Sequence, residues 1–201
     1  MKQFFRTLAG LCDLQVPIEQ QAHEALLGAD PPDRANGDPV PLSAAFKDIL
    51  CAPDALPVAA LILETPLPWS TPGVSDDPGY AALGQTKVHV DCIGPQGICR
   101  SDTLRVGLYG ILPGVEYGLR THPAEEVFIM IAGEALWQRG DAPYVKARPS
   151  ERSHHPSMLP HATKTEDRAF MSLYVWAGDI STENFTYHGG AGPLEPKPST
   201  A

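Results

Sequence analysis

Basic residues are scarce in this chain and nowhere run together. Fifteen Lys and Arg stand against 24 Asp and Glu, a formal net charge of −9. Contacts to phosphate need clustered cations, and the densest group here is the scattered set Lys146, Arg148 and Arg152. No nucleic-acid partner is expected, and no anionic membrane surface, for the same reason. No apolar run is long enough to span a bilayer. The opening MKQFFRTLAGLCDLQ resembles a signal peptide only in outline, because Arg6 breaks its apolar run and polar residues soon follow. Cysteine is sparse too. Cys12, Cys51, Cys92 and Cys99 form no Cys-x-x-Cys pair, so neither a zinc ribbon nor a dithiol redox motif is indicated. Cys92 and Cys99 could pair across a loop, but nothing demands it. A cytoplasmic protein with reduced thiols is the expectation.

What the chain does have is apolar residues and turn formers. Hydrophobic residues make up 43% and charged residues only 19%, with 18 Gly and 21 Pro. That is a globular composition rich in turns, better suited to β structure than to a helix bundle. Residues 1–28 show apolar residues at three- and four-residue steps and predict a helix. A loop over about 29–41, a second helix near Leu42–Cys51 with Ser43 as its cap, an apolar stretch Ala55–Leu63 and a Pro/Gly-rich loop from Pro66 to Gly79 follow. From Lys87 the pattern changes to short alternating runs: KVHVDCI, LRVGLYGIL, EVFIMIA, EALWQR, YVKAR and FMSLYVWA. Branched and aromatic residues between turns predict an antiparallel sandwich or barrel. The expected layout is helices and loops over 1–84, packed on a β-barrel over 85–201, as one structural domain.

Chemistry concentrates in two segments. The first reads Gly114-x5-Arg120-x-His122-x3-Glu126-x6-Gly133, and the second Pro156-x-Met158-x2-His161-x3-Thr165. Imidazole nitrogen with carboxylate oxygen is a donor set for a divalent transition metal, and Zn, Fe, Mn, Co and Ni all accept it. A hairpin could turn His122 and Glu126 inward, whereas only a closed barrel would bring His161 to them. Two His and one Glu leave coordination positions open for water or substrate. Taken alone, the His-x3-Glu pair would read as a surface hydrogen bond; the joint match across two segments is what favours a metal site.

These segments resemble the two motifs of the cupins, G-x5-H-x-H-x3,4-E-x6-G and G-x5-P-x-G-x2-H-x3-N. Gly114, His122, Glu126 and Gly133 match the first, Pro156 and His161 the second. Arg120 replaces a His, Met158 a Gly and Thr165 an Asn, and Ser150 stands at the second motif's leading Gly. The resemblance implies a mainly β fold, a cupin (double-stranded β-helix, or jelly-roll) barrel with an N-terminal helical segment. Cupins often dimerise through strands outside the barrel core, which leaves a homodimer open.

The wording HPAEEVFIMIAGEALW, followed by PHATKTEDRAFMSLYVW, is similar to the cupin-type dimethylsulfoniopropionate (DMSP) lyases, the DddQ type in particular, over roughly residues 85–178. That resemblance implies cleavage of DMSP, a small zwitterion, to dimethyl sulfide and acrylate at one bound divalent metal. It assigns His122, Glu126 and His161 as ligands. The family's fourth ligand is a Tyr two residues after the Glu, and here that position is Phe128, which can neither ligate nor act as a base. A second family Tyr falls on Tyr117, the expected catalytic base, with its pKa lowered by the nearby cation. Arg120 could clamp a substrate carboxylate or pair with Glu116. Tyr117, Phe128, Trp137 and Trp176 are candidates to face the sulfonium group. Each has a plainer alternative: Phe128, Tyr174 and Trp176 as core, Trp137 as a cover on a barrel end, Tyr117 on an exposed turn. His154 and His155, in a polar loop, are expected to face solvent, the lesser alternative being that one of them supports a metal ligand. His89 could face inward, but no spacing supports it. Two other functions stay open: another metallocupin enzyme, an oxygenase or isomerase, and a non-catalytic cupin that binds metal or a small molecule.

Overall fold

The computed structural model describes residues 1–35 and 37–189. Residue 36, in the expected 29–41 loop, and residues 190–201, the end of the expected barrel span, lie outside the described residues. Two helices, α1 (Lys2–Ala9) and α2 (Pro17–Gly28), take the place of the single helix expected over 1–28. The break falls at Pro17, which has no N–H and whose ring clashes with the preceding turn, so it opens a new helix at its first position. α1 buries Phe4, Phe5 and Leu8, each stabilising the fold by about 1.5–3 kcal/mol. α3 (Ala44–Leu50) lies within the expected second helix, although Ser43 makes no side-chain capping bond. α4 (Val58–Glu64) carries the third apolar stretch. α5 (Pro78–Ala82) is too short to show periodicity and was not expected; the Asp77 side chain caps it.

Eleven strands follow among the described residues: β1 (Lys87–Gly94), β2 (Cys99–Arg100), β3 (Leu104–Ile111), β4 (Glu116–Thr121), β5 (Glu125–Gly133), β6 (Ala135–Arg139), β7 (Val145–Ala147), β8 (Arg152–His155), β9 (His161–Lys164), β10 (Phe170–Ala177) and β11 (Thr186–Gly189). They form two sheets, ordered β2-β1-β3-β10-β5-β8 and β11-β4-β9-β6-β7. Side chains of both sheets meet in one inner aromatic cluster that includes Tyr109, Tyr117, Phe128, Trp137 and Trp176. This is the cupin barrel that the two motifs imply. Trp137 is thus interior rather than a lid on a barrel end.

β10 is buried along its whole length. Phe170, Tyr174 and Trp176 point into the barrel. Met171, Leu173 and Val175 point outward and share a second core with Phe4, Leu8, Ile18, Phe46 and Ile62 of the helices. An ion pair adds to this contact: Arg152 of β8 reaches the buried carboxylate of Glu19 on α2 at 2.8 Å.

The motif glycines and their replacements share a backbone requirement. Gly133 has φ +72°, and a Cβ there would lie 1.9 Å from the Ala169 carbonyl oxygen, so glycine alone fits the β5–β6 turn. Ser150 (φ 76°) and Met158 (φ 60°) hold left-handed conformations at the two places where the second motif carries Gly. The backbone shape is retained although the residue that adopts it most readily is gone. All four cysteines are free thiols. Among the described residues, no helix is long and apolar enough to cross a membrane.

Candidate metal centre and active site

Glu126 stands at the start of β5, with Trp176 of β10 and His155 of β8 as its direct cross-strand neighbours. All three point into the barrel, and they form one unit. The Trp176 indole N–H donates to Glu126 Oε1. His155 Nδ1 lies 2.9 Å from Glu126 Oε2, and its Nε2 lies 2.8 Å from the Ser153 hydroxyl. With Nδ1 donating to the carboxylate, Nε2 accepts the Ser153 proton.

His122 opens the β4–β5 connection and His161 opens β9. Their Nδ1 atoms face backbone carbonyls, Ala124 at 3.0 Å and Leu159 at 2.8 Å. Each carbonyl accepts the Nδ1 proton and so leaves Nε2 with a lone pair. Both Nε2 atoms are buried without a hydrogen-bond partner among the described residues. They stand 3.6 and 3.2 Å from Glu126 Oε2, and one donor atom from each of the three residues lies within 4.8 Å of the others. The rings are held from the side: His122 stacks on Trp176 (4.3 Å between centroids) and His161 on His155 (4.2 Å). Burial, reinforced by Arg120, pulls the His161 pKa down to about 3. For Glu126 burial opposes ionisation, but His122, His155 and His161 outweigh it and hold the carboxyl well below its usual range. Neutral imidazole and ionised carboxylate are the forms a metal takes. Two orphaned lone pairs and one carboxylate converging on a point fit a divalent transition metal.

The pocket beside this trio is lined by Tyr109, Glu126, Phe128 and Trp176 from one sheet and by Tyr117 and Arg120 from the other, with further residues from the loops. The pocket thus gathers Tyr117, Arg120, Phe128 and Trp176 beside the trio, while Trp137 packs behind Phe128 and does not line it. Tyr117 is buried on β4 rather than exposed on a turn. Its ring lies between the guanidinium of Arg120 (4.0 Å) and the ammonium of Lys87 (4.3 Å). Without a metal, burial pushes its phenol pKa well up, and Arg120 offsets this only in part. Arg120 is buried and does not pair with Glu116; it donates to the carbonyls of Tyr117 and Gly118 and to the Thr163 hydroxyl. Phe128 packs on Trp137 at 4.5 Å. His89 lines the pocket and also contacts the Ser70 hydroxyl.

His155 corrects the sequence reading. It is fully buried, whereas His154 reaches outward to Glu125. RSHH reads as a loop because the inward residues of β8 are polar, chosen to face Glu126 rather than an apolar core. Lys87 and Tyr109 were missed as well. Continuing the period-two alternation of LRVGLYGI inward from Arg105 would have found Tyr109.

Lys87 supports a stability prediction. Its ammonium is buried without a hydrogen-bond partner among the described residues, 3.6 Å over the Tyr80 ring. Burial, with Arg120 adding repulsion, lowers its pKa to about 7. Between there and the usual value of 10.5 the unfolded chain holds a proton that the folded chain lacks, so the contribution of Lys87 to stability rises with pH across that window. Lys87→Met should raise the melting temperature more at pH 6 than at pH 9, read by circular dichroism. Equal shifts at the two pH values would reject this account.

Comparison with known proteins agrees with the geometry. Residues 20–172 match the family model described as dimethylsulfoniopropionate lyase. The chain is 40% identical over 90 residues to dimethylsulfoniopropionate lyase DddQ of Ruegeria pomeroyi, a match that spans 45% of this chain and 45% of that relative's length. The crystal structure of DMSP lyase DddQ from the same organism superposes with a TM-score of 0.59 at 26% identity, over 90% of this chain and 94% of that one. A crystal structure from work on the DMSP lyases RdDddP and RnDddQII shares the fold, with a TM-score of 0.62 at 22% identity over 88% and 89% of the two chains. With about three quarters of its length matched by the family model and the His122, Glu126 and His161 centre in place, this chain belongs to the dimethylsulfoniopropionate lyase family.

Proposed function

We propose that the chain cleaves DMSP to dimethyl sulfide and acrylate by β-elimination, with one divalent transition metal held by His122, Glu126 and His161. The observation that carries this reading is the pair of orphaned, buried Nε2 atoms beside Glu126, at the end of an aromatic pocket, in a chain of this family. DMSP joins a sulfonium cation to a carboxylate. Aromatic faces such as Trp176, Phe128 and Tyr117 suit the sulfonium, each contact contributing about 0.5–2 kcal/mol. Among the described residues Arg120 has no carboxylate partner, which supports a role in meeting the substrate's. The metal would supply Lewis acidity toward a carboxylate oxygen. A base takes the proton from the carbon next to the carboxylate, the C–H pair forms the double bond, and the C–S pair leaves with neutral dimethyl sulfide. Tyr117 is the proposed base; Arg120 beside its ring favours the phenolate against the effect of burial. In this reading residues 1–84 and the barrel act as one structural unit in the cytoplasm, and a homodimer remains compatible with it. Phe128, lacking the phenol of the family pattern, favours a second reading: a barrel that binds the zwitterion without turning it over.

The test is to incubate metal-loaded protein with DMSP and follow acrylate by proton NMR, then repeat with Phe128→Tyr. Acrylate should form with the wild-type chain. Its absence from both, with metal bound, would reject the lyase reading, and acrylate only from the Tyr variant would favour the binding one. Full turnover by Tyr117→Phe would remove Tyr117 as the base.

A further inference from the structure

β3 has a strict inside and outside. Leu104, Val106 and Leu108 belong to the outer core with the helices, while Arg105 and Tyr109 line the pocket. Gly107, the inward position between them, has no side chain to screen one from the other. Tyr109 is a buried residue, and its hydroxyl has no hydrogen-bond partner among the described residues. A buried hydroxyl left unpaired is costly and calls for an explanation.

Two tyrosine rings meet Phe128, Tyr109 at 5.7 Å and Tyr174 at 6.5 Å. Tyr174 spends its proton on Asp91. Tyr109 alone of the two has a hydroxyl uncommitted, beside the position where the family pattern would place a phenol.

Resting on the DMSP reading above, we propose that Tyr109 is a further hydrogen-bond donor of the site, its hydroxyl meeting a carboxylate oxygen of bound substrate from the wall where position 128 offers only a phenyl ring. The chemistry suits a donor there. When the proton beside the carboxylate is removed, negative charge builds on the carboxylate oxygens, and a preplaced donor gains strength as it does so. Burial pushes the Tyr109 phenol well above its ordinary pKa, which keeps it protonated at neutral pH. It donates and is not consumed: its O–H bond stays intact while the C–H and C–S bonds break.

The experiment compares wild-type protein with Tyr109→Phe, which removes one oxygen atom. In the metal-loaded enzyme kcat should fall about 10²-fold, the loss typical of one such donor, with KM and metal content unchanged. In a calorimeter the variant should bind acrylate about 10-fold more weakly, as for a lost hydrogen bond to a charged group. Adding Phe128→Tyr to Tyr109→Phe should recover part of kcat. Unchanged kcat and unchanged acrylate affinity would overturn the proposal, as would a fall in kcat that merely tracks lost metal. Should Tyr109→Phe not fold, wild-type protein carrying ζ-13C tyrosine answers instead: one buried tyrosine signal shifts on adding acrylate, and a set of unmoved signals overturns the proposal. The two readings fail separately. Acrylate binding that depends on Tyr109 in a protein that makes no acrylate from DMSP rejects the lyase reading alone; turnover indifferent to Tyr109 rejects the donor alone.

Discussion

His161→Ala should leave a folded protein that no longer retains metal and makes acrylate only at background rate. The variant removes one of three donor atoms, and the carbonyl of Leu159, which orients the ring, does not replace it. Nothing else among the described residues offers a third ligand, because His155 already has both nitrogens engaged, with Glu126 and Ser153. A residue that only supports a ligand typically costs 10–100-fold in metal affinity. His155→Ala should fall in that range, with activity recovered by excess metal, and His161→Ala should lie well beyond it, with no recovery. Elemental analysis after dialysis, paired with the acrylate assay over a metal titration, separates the two. Metal content unchanged in His161→Ala would reject the ligand set.

Gly107→Ala should be among the most damaging single-methyl changes in the barrel wall. A Cβ at this position would lie 2.1 Å from the Val90 carbonyl oxygen and 2.9 Å from the Tyr174 ring. Val90 is backbone of β1 and Tyr174 belongs to β10, so both strands flanking β3 would have to move. Overpacking of this kind costs about 1–3 kcal/mol or more. At this chain length that corresponds to a fall of roughly 2–12 °C in melting temperature. Movement of β10 would also disturb Trp176 and through it Glu126, so metal affinity should drop with stability. Gly28→Ala is the control. A Cβ there meets nothing within 4 Å, and its melting temperature should stay within a degree or two. A Gly107→Ala protein as stable as wild type would show that β1 and β3 separate more easily than their pairing implies.

Much of this site was legible in the sequence, and the reason is geometric. His122 and Glu126 are four residues apart across one turn, and His161 opens a strand after a Pro-rich loop, so their joint match to the two cupin motifs could nominate them. The long strands were legible because their outward faces are apolar over the helices and their inward faces are apolar around the pocket. What escaped notice was polar and inward. β8 has Ser153 and His155 facing Glu126, and β4 has a Gly, a buried Arg and a Tyr; neither shows the alternation that announces a strand. Hydrophobic pattern reports burial against oil, and these residues are buried against charge. Lys87 and Arg120 illustrate the same limit, being cations placed where composition would put solvent. The one long helix failed for a local reason, since apolar periodicity continued across Pro17 while the backbone could not.

The alternation along β10 has a consequence for how this protein can change over generations. Positions 170, 174 and 176 answer to the pocket, while 171, 173 and 175 answer to the helices. Neighbours in the gene therefore serve different masters. Drift in Leu173 is judged by Phe46 and its companions and leaves the chemistry alone; drift in Trp176 is judged by the reaction and leaves the helices alone. Within eight codons, two histories of selection are written in alternate letters, and a lineage that acquired a new substrate would be expected to rewrite only every second one.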